Sequence, residues 1–263
     1  MTTPTVVMTI GGSDSGAGAG AQADLKTLSA HGVYATTVIT AVTAQNTRVV
    51  ERVQPVDLDV VRAQIHALLT DLPPAAVKTG LLGRAEVVRL VAETARDLPN
   101  LVVDPVLANR RGEVLVDEAA IEAYRSALVP AAVISTPSHR EASLLTDLPI
   151  RDLDEQRTAA EALARTTGTT VVVTGGRLGA HQPIDIISDG FETTELTGRW
   201  VRSRNVHGTG DAFSASIAAR LAAGTGLLVA ISEAKAWVAR AIAGSADWRL
   251  GHGEGPLDHF GWA

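Results

Sequence analysis

The chain has 263 residues, of which 46% are hydrophobic and 20% are charged, so it can bury a large core in one domain, or at most two. Its 23 basic and 29 acidic residues give a formal net charge of −6 without a long basic run, which argues against nucleic acid as the main partner. The absence of cysteine excludes disulfides, thiolate catalysis and cysteine-based zinc sites. No signal-peptide pattern opens the chain and no apolar run is long enough to span a membrane, so we expect a cytoplasmic protein.

Short β-branched runs alternate along the chain with amphipathic segments rich in Ala, Leu, Glu and Arg. Several runs, such as LVVDPV and TVVVTGG, are apolar on both faces, which is typical of buried parallel strands. We therefore predict an α/β fold with a central, mostly parallel sheet and helices on both faces. The predicted strands are, in chain order, Thr5–Ile10, Thr36–Val42, Ala76–Lys78, Leu101–Asp104, Ala132–Thr136, Thr170–Thr174 and Ile184–Ser188. The predicted helices are Gly20–His31, Asp57–Thr70, Arg84–Asp97, Asp117–Leu128, Arg140–Leu145, Asp154–Thr167, Asp211–Ala223 and Leu228–Ala243.

The chain carries no Pro/Ser-rich linker, repeat or low-complexity tract. We therefore predict one domain over residues 1–263. Residues 184–204 are predicted to form a meander or hairpin before the last two helices.

The turns that follow the predicted strands are the candidate functional segments, because ligands of open α/β sheets bind beyond the carboxyl ends of the strands. The first turn contains Gly16, Gly18 and Ala21, which match the dinucleotide fingerprint G-x-G-x-x-A. The predicted strand ends at Gly11 or Gly12, and Ser13-Asp14-Ser15 then separates it from the fingerprint, whereas a dinucleotide turn follows its strand at once. A dinucleotide-dependent oxidoreductase is therefore only one alternative, beside a plain flexible turn.

The later turns supply amides and carboxylates. Gln45 lies in the turn after the second predicted strand, and its amide can bond a heteroaromatic ring or a sugar, although a plain turn explains it too. Asp104 ends a buried strand, where a carboxylate is costly unless it is paired or placed near a metal. Glu141 lies at the start of a predicted helix, and Thr174 precedes two glycines.

The segment Gly208-Thr209-Gly210-Asp211 places bare backbone and an acid at the start of a helix, which suits an anion beside a proton acceptor. Together the turns indicate phosphoryl transfer from a nucleotide, in which positioning and charge neutralisation supply most of the catalysis. The chain has neither a Walker loop nor the H-R-D set of protein kinases. His252 and His259 have no helical HExxH pattern, so a structural or substrate-contact role is favoured over metal binding.

Six motifs carry a resemblance that extends nearly end to end. The sequence resembles the hydroxymethylpyrimidine (phosphate) kinases of thiamine biosynthesis, in the ribokinase-like superfamily. The motifs are GSDSGAGAGAQADLKT (12–27), TAQNT (43–47), VKTG (77–80), VVDPV (102–106), HGTG (207–210) and GHGEGPLDHF (251–260).

The resemblance implies a ribokinase-like three-layer fold, ATP as phosphoryl donor, Mg²⁺, and a hydroxymethylpyrimidine or its phosphate as acceptor. It also implies that a homodimer can form. It assigns site residues as follows: Asp24, Gln45, Gly12 and Val42 bind the pyrimidine; Asp104 and Glu141 organise the metal; Gly208, Thr209 and Gly210 form the anion hole; Thr174, Gly176 and Arg110 contact the nucleotide.

Four positions depart from the resembling enzymes. Those enzymes commonly have Cys where this chain has Asp211, the acid that sugar kinases and pyridoxal kinases use as general base. Ser138 replaces the Asn of Thr-Pro-Asn-x-x-Glu, Arg110 replaces a Lys, and Thr174 replaces the Lys before Gly-Gly. The departures keep two further alternatives open, a pyridoxine or pyridoxal kinase and a ligand-binding protein on a kinase scaffold.

Overall fold

The computed structural model of the protein describes residues 3–109, 112–176, 178 and 182–262. Within them, nine strands form one sheet in the order β3-β2-β1-β4-β5-β6-β7-β8-β9. Neighbours from β2 to β7 are parallel, whereas β3, β8 and β9 pair antiparallel. The strands are β1 (Val6–Asp14), β2 (Tyr34–Gln45), β3 (Val50–Pro55), β4 (Ala76–Thr79), β5 (Leu101–Val103), β6 (Ile134–Ser135), β7 (Thr170–Thr174), β8 (Ile184–Ser188) and β9 (Thr193–Thr197).

Helices cover both faces of this sheet, because alternate strand residues are apolar on each side. The residues Val7, Ala76, Val102 and Val172 pack in one cluster with α1, α7 and α8, while Met8, Val77 and Val103 pack in the other with helices from the middle of the chain. The helices are α1 (Gly20–Ala30), α2 (Leu58–Asp71), α3 (Ala85–Thr94), α4 (Glu118–Ala123), α5 (His139–Thr146), α6 (Leu153–Thr167), α7 (Thr209–Ala222) and α8 (Leu227–Gly244).

The order of the strands reverses at β1, which pairs with β2 on one side and with β4 on the other. Such a switch point opens a crevice at the carboxyl ends of the two strands. The same side-chain alternation that buries Val7 and Ala76 under α1 and α7 also directs Thr9 and Lys78 toward those helices. The polar side chains of the crevice thus share a face with the small-residue helix α7.

The predicted fold class is confirmed, and the hairpin predicted within 184–204 is present as β8 and β9. The predicted end of the first strand at Gly11 or Gly12 is wrong, because pairing with β2 continues past a bulge between Gly11 and Ser13 to Asp14. The edge strand β3 was missed, since all six of its residues are exposed and no apolar face marks it in the sequence. The helix predicted over 117–128 changes after α4 into a π-helical turn at Tyr124–Leu128.

Candidate active site

The carboxyl ends of β1, β4 and β5 meet the first turn of α7 at the switch point. Glycines bring the strand ends close, since a β-carbon on Gly11 would lie only 3.5 Å from Cα of Gly80. Asp211 lies in the first turn of α7 and Asp104 directly follows β5. The sheet therefore gathers, at one edge, acids from distant parts of the chain.

Lys78 lies at the centre of this edge and has no exposed side-chain surface. Its Nζ donates to both carboxylate oxygens of Asp24 at 2.9 Å and to Oδ1 of Asp211 at 3.0 Å. The hydroxyl of Thr9 donates to Oδ2 of Asp24 at 2.6 Å. We call Thr9, Asp24, Lys78 and Asp211 the lysine cluster; of its two carboxylates, that of Asp24 is fully buried and that of Asp211 is 14% exposed.

The charges of the lysine cluster are strongly interdependent. Burial disfavours the charged form of Lys78, but Asp24, Asp211 and Asp104 outweigh it and raise the pKa of this lysine. Burial, opposed by Lys78, raises the pKa of Asp24 to about 6. A buried lysine and a buried carboxylate that each neutralise the other are the usual way to keep such charges inside a protein.

The start of α7 presents backbone to the same crevice. Gly208 has φ +78°, and a β-carbon there would overlap the carbonyl oxygen of Gly18, so only glycine fits. A β-carbon on Gly210 would meet only Oδ2 of Asp104, at 3.8 Å, which leaves room for a ligand over the helix start. Thr209 is held by its hydroxyl, which donates to the carbonyl of Val206 at 2.6 Å. Free amides at a helix start are a general anion-binding feature.

Asp104 and Glu141, the predicted metal ligands, lie beside this anion site. Asp104 accepts from the hydroxyl of Ser214 at 2.9 Å, and burial together with the charges of Asp211 and Glu141 raises its pKa. The oxygens of Glu141 accept from the amide of Leu107 at 3.1 Å and from the amide and hydroxyl of Ser138 at 2.8 and 2.7 Å. No group of three or more His, Asp or Glu among the described residues encloses a metal position. The side chains of Asp104 and Glu141 are both largely buried, at 5% and 7% exposed. Two carboxylates beside an anion site suit a hydrated Mg²⁺ that a ligand's phosphates complete, because Mg²⁺ keeps several waters in most protein sites.

The glycine-rich turn after β1 folds around Asp14. The carboxylate of Asp14 accepts from the amides of Gly16, Gly18 and Ala19 at 2.7 to 2.9 Å. In a dinucleotide site, amides of this kind receive a pyrophosphate. Here an acid of the chain itself occupies them, so this turn is not a dinucleotide site, even though it follows its strand directly.

His207 joins the Asp14 turn to Gln45. Its Nε2 lies 3.3 Å from Oδ2 of Asp14 and 3.1 Å from Nε2 of Gln45. Burial raises the pKa of Asp14, but His207 and the turn amides outweigh it and lower the pKa overall. Gln45 is partly exposed at the end of β2, Gly12 lies within β1, and Val42 has a 52% exposed side chain.

The predicted acceptor residues thus differ in access. The side chains of Gln45 and Val42 are accessible to solvent at the edge of the sheet. Asp24 is buried next to Lys78, and both of its carboxylate oxygens accept hydrogen bonds from Lys78 or Thr9. Acceptor binding by these residues stays a prediction. For Asp24 the contacts favour a different role, that of holding Lys78.

The predicted nucleotide residues lie at the end of β7 and beyond. We call residues 174–176 the Thr174 turn; it contacts the start of α5 through the amide of Thr174, which donates to the carbonyl of Pro137 at 2.9 Å. Gly176 has φ +53°, and a β-carbon there would meet nothing within 4 Å. Arg110 lies outside the described residues.

Of the two C-terminal histidines, His252 is exposed, whereas His259 is 5% exposed and burial lowers its pKa to about 4. A buried neutral ring fits the structural role favoured for His259.

Five site residues were not singled out from the sequence: Thr9, Asp14, Lys78, His207 and Ser214. Asp14, Lys78 and His207 lie inside the motifs that carry the resemblance, and this was the only signal available for them. The contact of Ser214 with Asp104 joins positions 110 apart, which no local pattern reveals.

A mostly parallel sheet flanked by helices, with an acid and free amides at a helix start, is the architecture expected of a ribokinase-like phosphoryl-transfer fold. The family model for phosphomethylpyrimidine kinase matches residues 14–258. A hydroxymethylpyrimidine/phosphomethylpyrimidine kinase from Rhizobium meliloti (strain 1021) is 43% identical over 97% of this chain and 97% of its own length. The chain therefore belongs to the phosphomethylpyrimidine kinase family.

Two solved structures have the same architecture. The ADP complex of Bacillus subtilis pyridoxal kinase has a TM-score of 0.90 and 34% identity, and covers 98% of both chains. The AMP-PCP complex of Staphylococcus aureus pyridoxal kinase has a TM-score of 0.91 and 32% identity, covering 99% of this chain and 95% of that one. The protein is a kinase that uses ATP and a small-molecule acceptor, so the predicted activity is confirmed and the oxidoreductase alternative is wrong.

The helices of the described residues include none with the length and apolar character that crossing a membrane requires.

Proposed function

We propose that this kinase transfers the γ-phosphoryl group of ATP to the hydroxymethyl group of 4-amino-5-hydroxymethyl-2-methylpyrimidine, to its phosphate, or to both, with Asp211 as general base. The observation that carries the proposal is the position of Asp211. Its carboxylate is held at Oδ1 by Lys78, reaches the surface of the crevice, and lies in the first turn of a helix whose start is lined by glycine. The similarity to kinases named for these pyrimidines supports the choice of acceptor.

The chemistry follows from this geometry. Asp211 accepts the proton of the acceptor hydroxyl while the hydroxyl oxygen bonds to the γ-phosphorus, the bond from that phosphorus to the β,γ-bridging oxygen breaks, and ADP leaves. A positioned base contributes about 10²–10⁴-fold. The amides around Gly208 and Gly210 donate to the oxygens of the phosphoryl group as negative charge builds on them. Asp104 and Glu141 would hold Mg²⁺, whose charge would neutralise that of the phosphates.

The acceptor pocket is proposed to lie between the ends of β1 and β2. The Gln45 amide has both a donor and an acceptor to offer to an aminopyrimidine. His207 fixes that amide from behind, and Gly12 and Val42 form the adjacent wall. The Thr174 turn and Arg110 are proposed to face the phosphates of ATP.

Pyridoxal is the competing acceptor, since the two similar solved structures are pyridoxal kinases and Asp211 is the acid that such enzymes use. A panel of the pyrimidine, its phosphate, pyridoxine and pyridoxal, each with MgATP, separates the alternatives by kcat/KM. We expect the pyrimidine or its phosphate to exceed both pyridines. A higher kcat/KM for pyridoxal would reject the proposed acceptor, and binding of the pyrimidine without turnover would reject the proposed phosphoryl transfer to it.

A further inference from the structure

We propose that Lys78 is a positioning residue for the catalytic base: its ammonium group orients the carboxylate of Asp211, and Asp24 with Thr9 anchors Lys78 from the opposite side. This inference rests on the proposed role of Asp211. It assigns to Asp24 a place behind the lysine instead of a contact with the acceptor.

Burial shows that Lys78 acts through another residue. Its side chain has no exposed surface, so it does not touch a ligand in the crevice. Its three ammonium protons have three acceptors within 3.0 Å, two on Asp24 and one on Asp211. Each proton of the ammonium group therefore has an acceptor, and residues of two helices, α1 and α7, fix the position of the group.

The contact with Asp211 involves Oδ1 only. Within the part of the chain that the structure describes, no hydrogen-bond donor contacts Oδ2. Lys78 thus fixes one oxygen and leaves the other for the hydroxyl of the acceptor. Gly80, which follows β4, leaves room for this contact because it has no β-carbon. A β-carbon there would lie 3.0 Å from Nζ of Lys78 and 3.7 Å from Oδ1 of Asp211.

Charge supplies the second part of the argument. Asp24, Asp104 and Asp211 lie near one another around Lys78, with His259 as the further titratable group that faces Asp211. Three carboxylates close together in a buried setting repel one another. The positive charge of Lys78 offsets this repulsion, so the carboxylate of Asp211 can stay in place 3.0 Å from Nζ.

The anchor explains why two acids are present. A lysine held by Asp211 alone would follow that carboxylate when it moves. Asp24 is held in turn by Thr9 of β1, so the cluster ties α1, β1 and β4 to the start of α7.

The test compares Lys78→Met with Lys235→Met, a matched control in α8. Lys235 also forms a largely buried ion pair, 2.7 Å from Asp185. We expect Lys78→Met to lower kcat about 100-fold, the scale of loss from misplacing a catalytic group, while KM for ATP and for the acceptor change less than about threefold. Lys235→Met should lose stability without this fall in kcat. A folded Lys78→Met variant with near-normal kcat would overturn the inference.

Chemical rescue separates positioning from packing. In Lys78→Ala, ethylammonium should restore part of kcat, because it returns a charge to the vacated space, whereas ethanol at the same concentration should not. Equal rescue by ethanol, or none by either, would mean that the charge of Lys78 is not used.

Two further variants complete the test. If Lys78→Met does not fold, Lys78→Met/Asp24→Asn removes the unpaired buried acid, and the same fall in kcat is expected of it. Asp211→Asn is measured in parallel. If Asp211→Asn is inactive while Lys78→Met and Lys78→Met/Asp24→Asn are fully active, the positioning role of Lys78 is rejected and the role of Asp211 as base is retained. If Asp211→Asn is active, the role of Asp211 as base is rejected.

Discussion

The lysine cluster and the Thr174 turn lie at two ends of one proposed site, and they differ in how their side chains are held. In the lysine cluster a buried cation has three charged hydrogen bonds at 2.9 to 3.0 Å, two to Asp24 of α1 and one to Asp211 of α7. The Thr174 turn is held by its backbone amides, which donate to the carbonyl of Pro137 and to the carboxylate of Asp185. The side chain of Thr174 offers a hydroxyl where the resembling enzymes carry a lysine.

The difference indicates that the charged groups at the Asp211 end are positioned before any ligand binds, whereas Thr174 itself brings no charge to the phosphates of ATP. Preorganised groups stabilise charge that develops during reaction without rearranging. Substitutions in the lysine cluster should therefore change kcat, and substitutions near the Thr174 turn should change the affinity for ATP.

The largest effect is expected for Asp211→Asn. Asn has nearly the shape of Asp and its amide oxygen can still accept from Lys78, so the fold should persist while turnover of the hydroxymethyl acceptor falls about 10²–10⁴-fold, the usual contribution of a general base. The phosphate of that acceptor provides an internal control. A phosphate monoester loses its second proton near pH 6, so at pH 8 it attacks without a base and should lose much less. Rates with both acceptors decide this, and equal losses would show that Asp211 does not act by removing the proton.

A large effect on stability is expected for Gly208→Ala, and a smaller one for Gly176→Ala. Both glycines have positive φ, which costs about 1–2 kcal/mol for a residue with a β-carbon. At Gly208 the new carbon would also overlap the carbonyl of Gly18, whereas at Gly176 it meets open space. The urea midpoint at constant slope measures the free energy of unfolding. Similar losses for the two variants would contradict the tighter packing assigned to the start of α7.

A moderate effect is expected where this chain departs from its relatives. Thr174→Lys combined with Ser138→Asn should tighten ATP binding about tenfold, since a hydrogen bond from a charged donor contributes about 1.5–3 kcal/mol. Thr174→Gln, which adds length without charge, serves as the control. Titration of ATP at saturating Mg²⁺ measures the effect. If the original chain already binds ATP as tightly as the double variant, the departures are neutral.

The smallest effect concerns pH and the Asp14 turn. The pKa of Asp14 lies below its usual value of 3.8, so its stabilising contribution is present above that pH and is lost as the pH falls through the lowered value. Asp14→Asn should cost about 1 kcal/mol near pH 7, and the cost should shrink below about pH 4. Unfolding free energies of both forms across this range provide the measurement, and a cost independent of pH would exclude the charge of Asp14 as its source.

The sequence by itself determined the fold class, the family and the turns that line the site. Periodic apolar patterns and buried valine-rich strands are local properties, so they predicted the parallel sheet and most of its helices. The motif that ends in Asp211 likewise places an acid at a helix start within a few residues. The single-domain boundaries and the roles of Gln45, Gly12 and Val42 at the acceptor stay predictions.

Only the tertiary structure decided which side chains meet. Lys78 and Asp211 are 133 positions apart, and Gln45 and His207 are 162 apart, so no spacing in the sequence relates them. The role favoured for Asp24 changed for the same reason, since its motif does not show that a lysine from another strand takes both its oxygens. The Asp14 turn looked like a phosphate-binding fingerprint because glycine spacing is local. Whether a phosphate or a neighbouring carboxylate accepts its amides depends on how far β1 continues, and pairing with β2 sets that length.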